Sequence, residues 1–173
     1  MKRVVVTGIS MITPIGSDWK TVKENLQAKK SGVSYMEGWN IYEGLNTKLG
    51  GEVKDFVVPS HYSRKQIRSM GRVALLSTRA TELALEEAGL LRSDELKNGK
   101  TGVAYGSSSG SVDATLDFFS MMKTNIVRGI TATTYIQMMG HTSAVNIGLF
   151  FGLTGRLIPT GTACTSGSLA IGY

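Results

Sequence analysis

One cysteine set among small residues constrains this chain more than any other feature. Thr162-Ala163-Cys164-Thr165-Ser166-Gly167-Ser168 follows Arg156-Leu157-Ile158-Pro159-Thr160-Gly161, which reads as a short apolar strand. It precedes Leu169-Ala170-Ile171, which reads as the opening of a buried helix. The thiol therefore lies on a strand-to-helix turn. Free N–H groups and the helix dipole at such a place favour thiolate over thiol. The neighbouring Ala, Thr, Ser and Gly leave room for a substrate to approach the sulfur. A lone cysteine is ordinarily a small buried hydrophobe, but this setting favours a nucleophile.

The same alternation of strand and helix runs back along the chain. Lys2 to Gly8 is an apolar run with little alternation, as in a strand buried on both faces. Ser17 or Asp18 can cap a helix carrying Trp19, Val22 and Leu26 on one face, ended by Ser31-Gly32. Residues 34–58 read as irregular, with one short strand near Leu49 to Val53. Ser63 to Gly89 predicts a long helix whose apolar stripe is Met70, Val73, Leu76, Ala80, Leu83 and Ala84. Arg72, Arg79, Glu82 and Glu86 fall on its polar side, and Gly89 supplies a left-handed stop. Thr101 to Tyr105 reads as a strand that runs into the loop Gly106 to Ser111. A helix from Asp113 to Met122 and another from Thr133 to Phe150 follow. The pattern predicts βαβ units, a mainly parallel sheet and an α/β fold class. No repeat, linker or low-complexity segment divides residues 1–173. The last helix has no stop signal before Tyr173, so the chain reads as the N-terminal part of a longer protein, with Leu169 and Ile171 exposed.

Composition narrows the function classes. At 173 residues the chain can build a real core. Its 42% hydrophobic and 18% charged content is that of a soluble globular protein. No apolar run approaches the roughly 20 residues of a membrane span, and Thr7, Gly8, Ser10 and Pro14 break the opening run too early for a signal peptide. A single cysteine excludes an internal disulfide framework and fits a reducing, cytoplasmic compartment. Cys164 with scattered His61 and His141 gives no zinc pattern. The net charge of +6 has no long basic run with interleaved aromatics, which argues against nucleic acid. It suits a solvated basic surface or an acidic partner protein.

Other motifs weigh less. Val5-Val6-Thr7-Gly8-Ile9-Ser10 is like the first turn of a short-chain dehydrogenase, but Ile12 and Pro14 stand where further glycines are needed, and no tyrosine is followed four residues later by lysine. Gly106 to Ser111 has no Walker lysine, and reads either as a plain turn or as a turn kept small for a passing substrate. Arg64, Lys65, Arg68 and Arg72 make a compact positive patch at the head of the long helix, where the dipole disfavours them. Helix stability thus gives no reason for them; a solvated face or a docking patch does. His141, in a Met-rich apolar stretch, reads as a packed core histidine.

Taken in order, Lys2-Arg3-Val4-Val5-Val6-Thr7-Gly8, Ser63-Arg64-Lys65, Gly106-Ser107 and Thr162-Ala163-Cys164-Thr165-Ser166-Gly167 resemble the elongating β-ketoacyl-acyl carrier protein synthases. The cysteine motif is the specific element, and the match covers the N-terminal half of such an enzyme. The resemblance implies a thiolase-like fold and an acyltransferase of fatty acid, polyene or polyketide synthesis. Cys164 would be the nucleophile acylated from acyl carrier protein, and its backbone N–H an oxyanion donor. Malonyl-carrier protein would decarboxylate, and its carbanion would attack the thioester. Ser109 and Ala163 would line the acyl pocket. Ser109 stands where a larger apolar residue is usual, which implies room for an unusual acyl group such as a polyene or aryl chain. Lys65 and Arg68 would meet the acidic carrier protein, with Arg128 a further candidate.

No metal or resident cofactor is implied, since the phosphopantetheine arrives on the carrier. A homodimer, or a heterodimer with a related subunit, is. The family's paired histidines and lysine belong to the C-terminal half, so the chain alone is expected to be inactive. Gly155-Arg156-Leu157 and the segment before Thr133 depart from the family's pattern near its dimer interface. An initiating synthase or degradative thiolase shares the fold and nucleophile, but the Lys65/Arg68 patch favours the elongating branch. A non-catalytic pairing subunit would have replaced Cys164.

Overall fold

The computed structural model describes residues 3–173, which form two compact units. The larger takes in residues up to 8 together with 58–173, the smaller residues 9–57. In the smaller unit, α1 (Trp19–Gln27) begins at Asp18, whose carboxylate accepts from the Thr21 N–H at 2.9 Å. Hydrogen bonds to Thr21 hold that carboxyl below its ordinary range. The helix stops at Ala28, short of Ser31-Gly32, because Lys29 turns left-handed at φ 54°. Of its three apolar residues only Val22 is buried; Trp19 and Leu26 are exposed. The strand expected near Leu49 is the short β2 (Leu49–Gly50), antiparallel to β1 (Ser34–Tyr35).

The larger unit holds α2 (Arg64–Ile67), α3 (Arg72–Glu87), β3 (Val103–Gly106), α4 (Val112–Thr124), α5 (Ala132–Met138), α6 (Thr142–Phe151), β4 (Leu157–Thr160) and α7 (Ser166–Gly172). Strands β3 and β4 pair in parallel, with Val103 opposite Leu157 and Gly106 opposite Thr160. Both α6 and α7 lie against this pair, and α3 packs on α6. The C-terminal ends of the two strands therefore open side by side, and the Ser107 N–H reaches the Thr160 carbonyl at 3.2 Å. In α/β sheets that edge is where ligand sites form.

The expected first strand is a correction. Residues 3–8 are neither helix nor strand, and Val4, Val5 and Val6 are exposed rather than buried on both faces; Lys2 lies outside the described residues. Apolar β-branched residues favour a strand, but a strand needs a neighbour to complete its hydrogen bonds. Among the described residues neither β3 nor β4 supplies one.

Both long helices of the sequence reading are split. The first breaks between Ile67 and Arg72 because distant side chains satisfy the carbonyls there. The Gln137 amide donates to Arg68 O (3.2 Å) and Met70 O (3.3 Å), and the Asn146 amide to Ser69 O (3.3 Å). Gly71 at the break touches the Ser111 side chain so closely that a Cβ would fall 2.4 Å from its Cβ. The second helix breaks after Met138. There the Ser111 and Gly110 N–H groups take the Gln137 and Met138 carbonyls at 2.7 and 3.2 Å, as the end of a helix requires.

The α3–α6 interface is built from small and polar residues. Ala74, Ser77, Thr78 and Glu82 are the buried positions of α3, and α6, which packs on it, buries Ser143, Ala144, Asn146, Ile147, Gly148 and Phe151. The expected stripe of Val73, Leu76, Ala80, Leu83 and Ala84 is only half-buried. Glu82, expected on the polar side, is buried with three partners. His61 Nε2 lies 2.6 Å from Oε1, the Tyr62 hydroxyl donates to Oε2 at 3.0 Å, and Arg79 forms a salt bridge to Oε2. Burial pushes the Glu82 carboxyl up, but bonds from His61, Arg79 and Tyr62 outweigh it and hold the group below its ordinary range. Burial, and then Glu82, raises the Tyr62 hydroxyl.

A carboxyl with a lowered folded pKa adds stability that is present above about pH 4.5 and lost as pH falls through the folded value. Glu82→Gln is expected to cost about 2 kcal/mol at neutral pH, discounted for the exposure of His61 and Arg79. Its denaturation curves should converge on those of the parent in acid. Chemical denaturation as a function of pH checks this.

Candidate active site

Cys164 is exposed and free, in a single 3-10 turn (Ala163–Thr165) between β4 and α7. The strand-to-helix placement read from the sequence is the one observed. The preceding residue, Ala163, has φ 51°, left-handed and uncommon for a side-chain-bearing residue. Polar groups hold this turn. The Ser166 hydroxyl accepts from the Thr162 N–H at 2.9 Å and donates to the Ala163 carbonyl at 2.7 Å. Thr160 Oγ1 donates to the Ser166 carbonyl at 2.8 Å. The Thr165 N–H and hydroxyl both reach the Thr162 carbonyl, at 3.2 and 2.8 Å. Among the described residues, none of these turn bonds uses the Cys164 N–H. That leaves a backbone donor beside the sulfur.

Beside the turn, a cleft of about 330 Å³ is lined by Ser107, Ser108, Gly140, His141, Thr160 and Ala163, with Pro159 and Gly161. It sits where the ends of β3 and β4 open together. Ala163 is thus on its wall. Ser109 is exposed in the adjoining loop, its carbonyl bonded by the Ser107 hydroxyl at 2.7 Å, and is not among the lining residues. His141 is exposed at the start of α6, not packed in a core as its apolar neighbours suggest. The helix break at Met139 turns it out of the apolar face.

Lys65 lies on α2 and Arg68 caps its C-terminus, both exposed. Because α2 is a single turn of four residues, Arg64 and Lys65 are its first two positions, and so short a helix has little dipole to oppose them. Ser63 starts α2 with a capping box shared with Gln66. Arg128 is exposed after α4 and lines a separate cleft with Asp117 and Thr124.

Sequence reading missed Thr160, Thr162 and Ser166. The available signal was a serine two residues after the cysteine, at the first position of the helix. Among the described residues no group of three or more His, Cys, Asp or Glu is placed to hold a metal, and no helix is long and apolar enough to cross a membrane.

The family model "Beta-ketoacyl synthase, N-terminal domain" matches residues 1–173. The chain belongs to the β-ketoacyl synthase family. The 3-oxoacyl-acyl-carrier-protein synthase 2 of Vibrio harveyi is 31% identical over 176 residues, 99% of this chain and 41% of that protein. The crystal structure of a β-ketoacyl synthase from Burkholderia phymatum STM815 superposes with a TM-score of 0.94 at 45% identity, over 100% of this chain and 42% of that one. A type II polyketide ketosynthase, solved in complex with its acyl carrier protein, has the same fold at 21% identity and TM-score 0.79, over 100% of this chain and 45% of that one. The fold is therefore the thiolase-like ketosynthase fold, as expected. The chain spans about two-fifths of the length of these ketosynthases.

Proposed function

We propose that the full-length protein is a β-ketoacyl-acyl-carrier-protein synthase in which Cys164 carries the growing acyl chain as a thioester. The observation that carries this reading is an exposed thiol on a hydrogen-bonded strand-to-helix turn, in a chain that matches the ketosynthase N-terminal domain from end to end. The thiolate attacks the acyl thioester on the carrier and releases the carrier's phosphopantetheine thiol. Decarboxylation of malonyl-carrier protein then gives a carbanion equivalent that attacks the Cys164 thioester. A β-ketoacyl chain two carbons longer leaves, and the thiol is restored. The Cys164 N–H, unused in its own turn, suits a donor to the tetrahedral oxyanion. No resident metal or cofactor enters the scheme.

The acyl chain is assigned to the cleft walled by Ala163, with Ser109 at its rim. The serines and His141 beside it favour a chain with polar or conjugated character over a plain saturated one. The partner is an acyl carrier protein, as in the polyketide ketosynthase complex. Carrier proteins are acidic, and Lys65 and Arg68 offer exposed positive charge, with Arg128 a further contact. A homodimer in the cytoplasm completes the reading, the single cysteine fitting a reducing compartment.

Incubating the full-length protein with acyl- and malonyl-carrier proteins should yield the β-ketoacyl product; absence of that product contradicts the assignment. Reversing the patch with Lys65→Glu and Arg68→Glu together should raise KM for the carrier about tenfold or more at low salt and flatten or reverse its rise with ionic strength, with kcat little changed. Steady-state kinetics at two ionic strengths checks this.

A further inference from the structure

Ser166 is the most confined polar side chain near Cys164. It is only 4% exposed, and its hydroxyl uses both of its roles on the backbone just before the cysteine. It accepts the Thr162 N–H at 2.9 Å and donates to the Ala163 carbonyl at 2.7 Å. These two bonds bracket Ala163, the residue held at φ 51°. A left-handed backbone is unfavourable for an alanine and persists only where its surroundings over-determine it.

Ser166 is itself fixed from other sides. Thr160 Oγ1 holds its carbonyl at 2.8 Å, the Ser108 hydroxyl lies 3.5 Å from its own, and Gly106 at the end of β3 lies so near its backbone that there is no room for a Cβ between them. The clamp thus transmits the position of the β3–β4 edge to the peptide that carries the thiol.

We propose that Ser166 is a positioning residue for Cys164: its hydroxyl clamps Ala163 in the left-handed conformation that points the thiol and its N–H out of the turn. The role rests on the synthase reading for its catalytic meaning, but not for its geometry. Without the hydroxyl, Thr162 N–H and Ala163 C=O lose their shared partner and Ala163 relaxes toward φ below zero. The sulfur then shifts with the peptide, and displacement on the scale of 1 Å lowers rates by up to about a hundredfold. The carrier-binding residues are untouched, so the loss falls on kcat and not on KM.

The test uses the full-length protein with Ser166→Ala, Ser166→Thr and Thr160→Val. The first readout is iodoacetamide alkylation of the Cys164 peptide as a function of pH. The second is acyl transfer from acyl-carrier protein. Ser166→Ala is expected to slow both by about tenfold, move the midpoint of the alkylation profile and leave KM within about twofold. Ser166→Thr, which keeps the hydroxyl, should restore the profile. Thr160→Val, isosteric and one bond removed, should show a smaller loss of the same kind.

A folded Ser166→Ala protein with the parental rate and profile overturns the proposal, as does an equal loss in Ser166→Thr. If Ser166→Ala does not fold, Thr160→Val decides, and a parental profile there overturns it. If the parent is alkylated with this dependence on Ser166 but never acylated by a carrier thioester, the synthase reading fails and the positioning role stands.

Discussion

Cys164→Ala in the full-length protein is expected to abolish chain extension, lowering the rate by about 10⁴-fold or more, the scale seen when a covalent nucleophile is removed. The stability should hardly change. Cys164 is exposed, and the bonds that shape its turn run through Thr160, Thr162, Thr165 and Ser166. Surface substitutions of that kind stay within about 0.5 kcal/mol. The pairing of a near-total kinetic loss with an unchanged melting temperature is the signature of a nucleophile. A structural cysteine would give the reverse. Rates of β-ketoacyl product formation, read beside thermal melts of the same samples, separate the two.

Gly106→Ala is expected to have a large effect on stability. A Cβ at Gly106 would stand 2.2 Å from the Ser166 carbonyl oxygen and 2.3 Å from its carbon. Both atoms are backbone, so no side chain can swing aside. Either β3 leaves its register with β4, or the start of α7 moves and breaks the bond from Thr160 to Ser166. Overpacking of this severity costs about 3 kcal/mol or more, a fall in Tm of about 10 °C. Alkylation of Cys164 should slow with it, because the displaced carbonyl belongs to the residue that clamps the turn. Gly38→Ala is the control: nothing lies within 4 Å of a Cβ there, and Tm should stay within about 2 °C. Thermal melts and alkylation rates of the two variants check the contrast.

The features legible in the sequence were those set by neighbouring residues. The cysteine turn is announced by its own run of small residues. Capping at Asp18, the β3 strand and the α/β alternation follow from local composition. What was not legible depends on partners far along the chain. The long helix from Ser63 breaks because Gln137 and Asn146, roughly seventy residues away, take its carbonyls. Glu82 is buried, against its charge, because His61 and Tyr62 turn back to meet it. His141 leaves the apolar stretch around it because the loop before α4 ends α5 early. Val4 to Val6 carry every local mark of a strand, yet pairing is never local, and no strand among the described residues pairs with them.

At the site, the exposed cysteine turn could be named from sequence while the hydrogen bonds behind it could not. A serine's role depends on which backbone groups the fold brings within reach. The roles proposed for Lys65, Arg68 and Arg128 rest on the family resemblance, with exposure and charge in support, and the role proposed for Ser109 rests on the resemblance alone.

The central claim is that Cys164 is acylated from a carrier protein. Mass spectrometry of the Cys164 peptide, after mixing the full-length protein with a stoichiometric acyl-carrier thioester and no malonyl donor, tests it most directly. The account predicts one acyl group per chain on Cys164, lost on treatment with hydroxylamine. An unmodified Cys164 peptide, or an acyl group carried only on another residue, contradicts it.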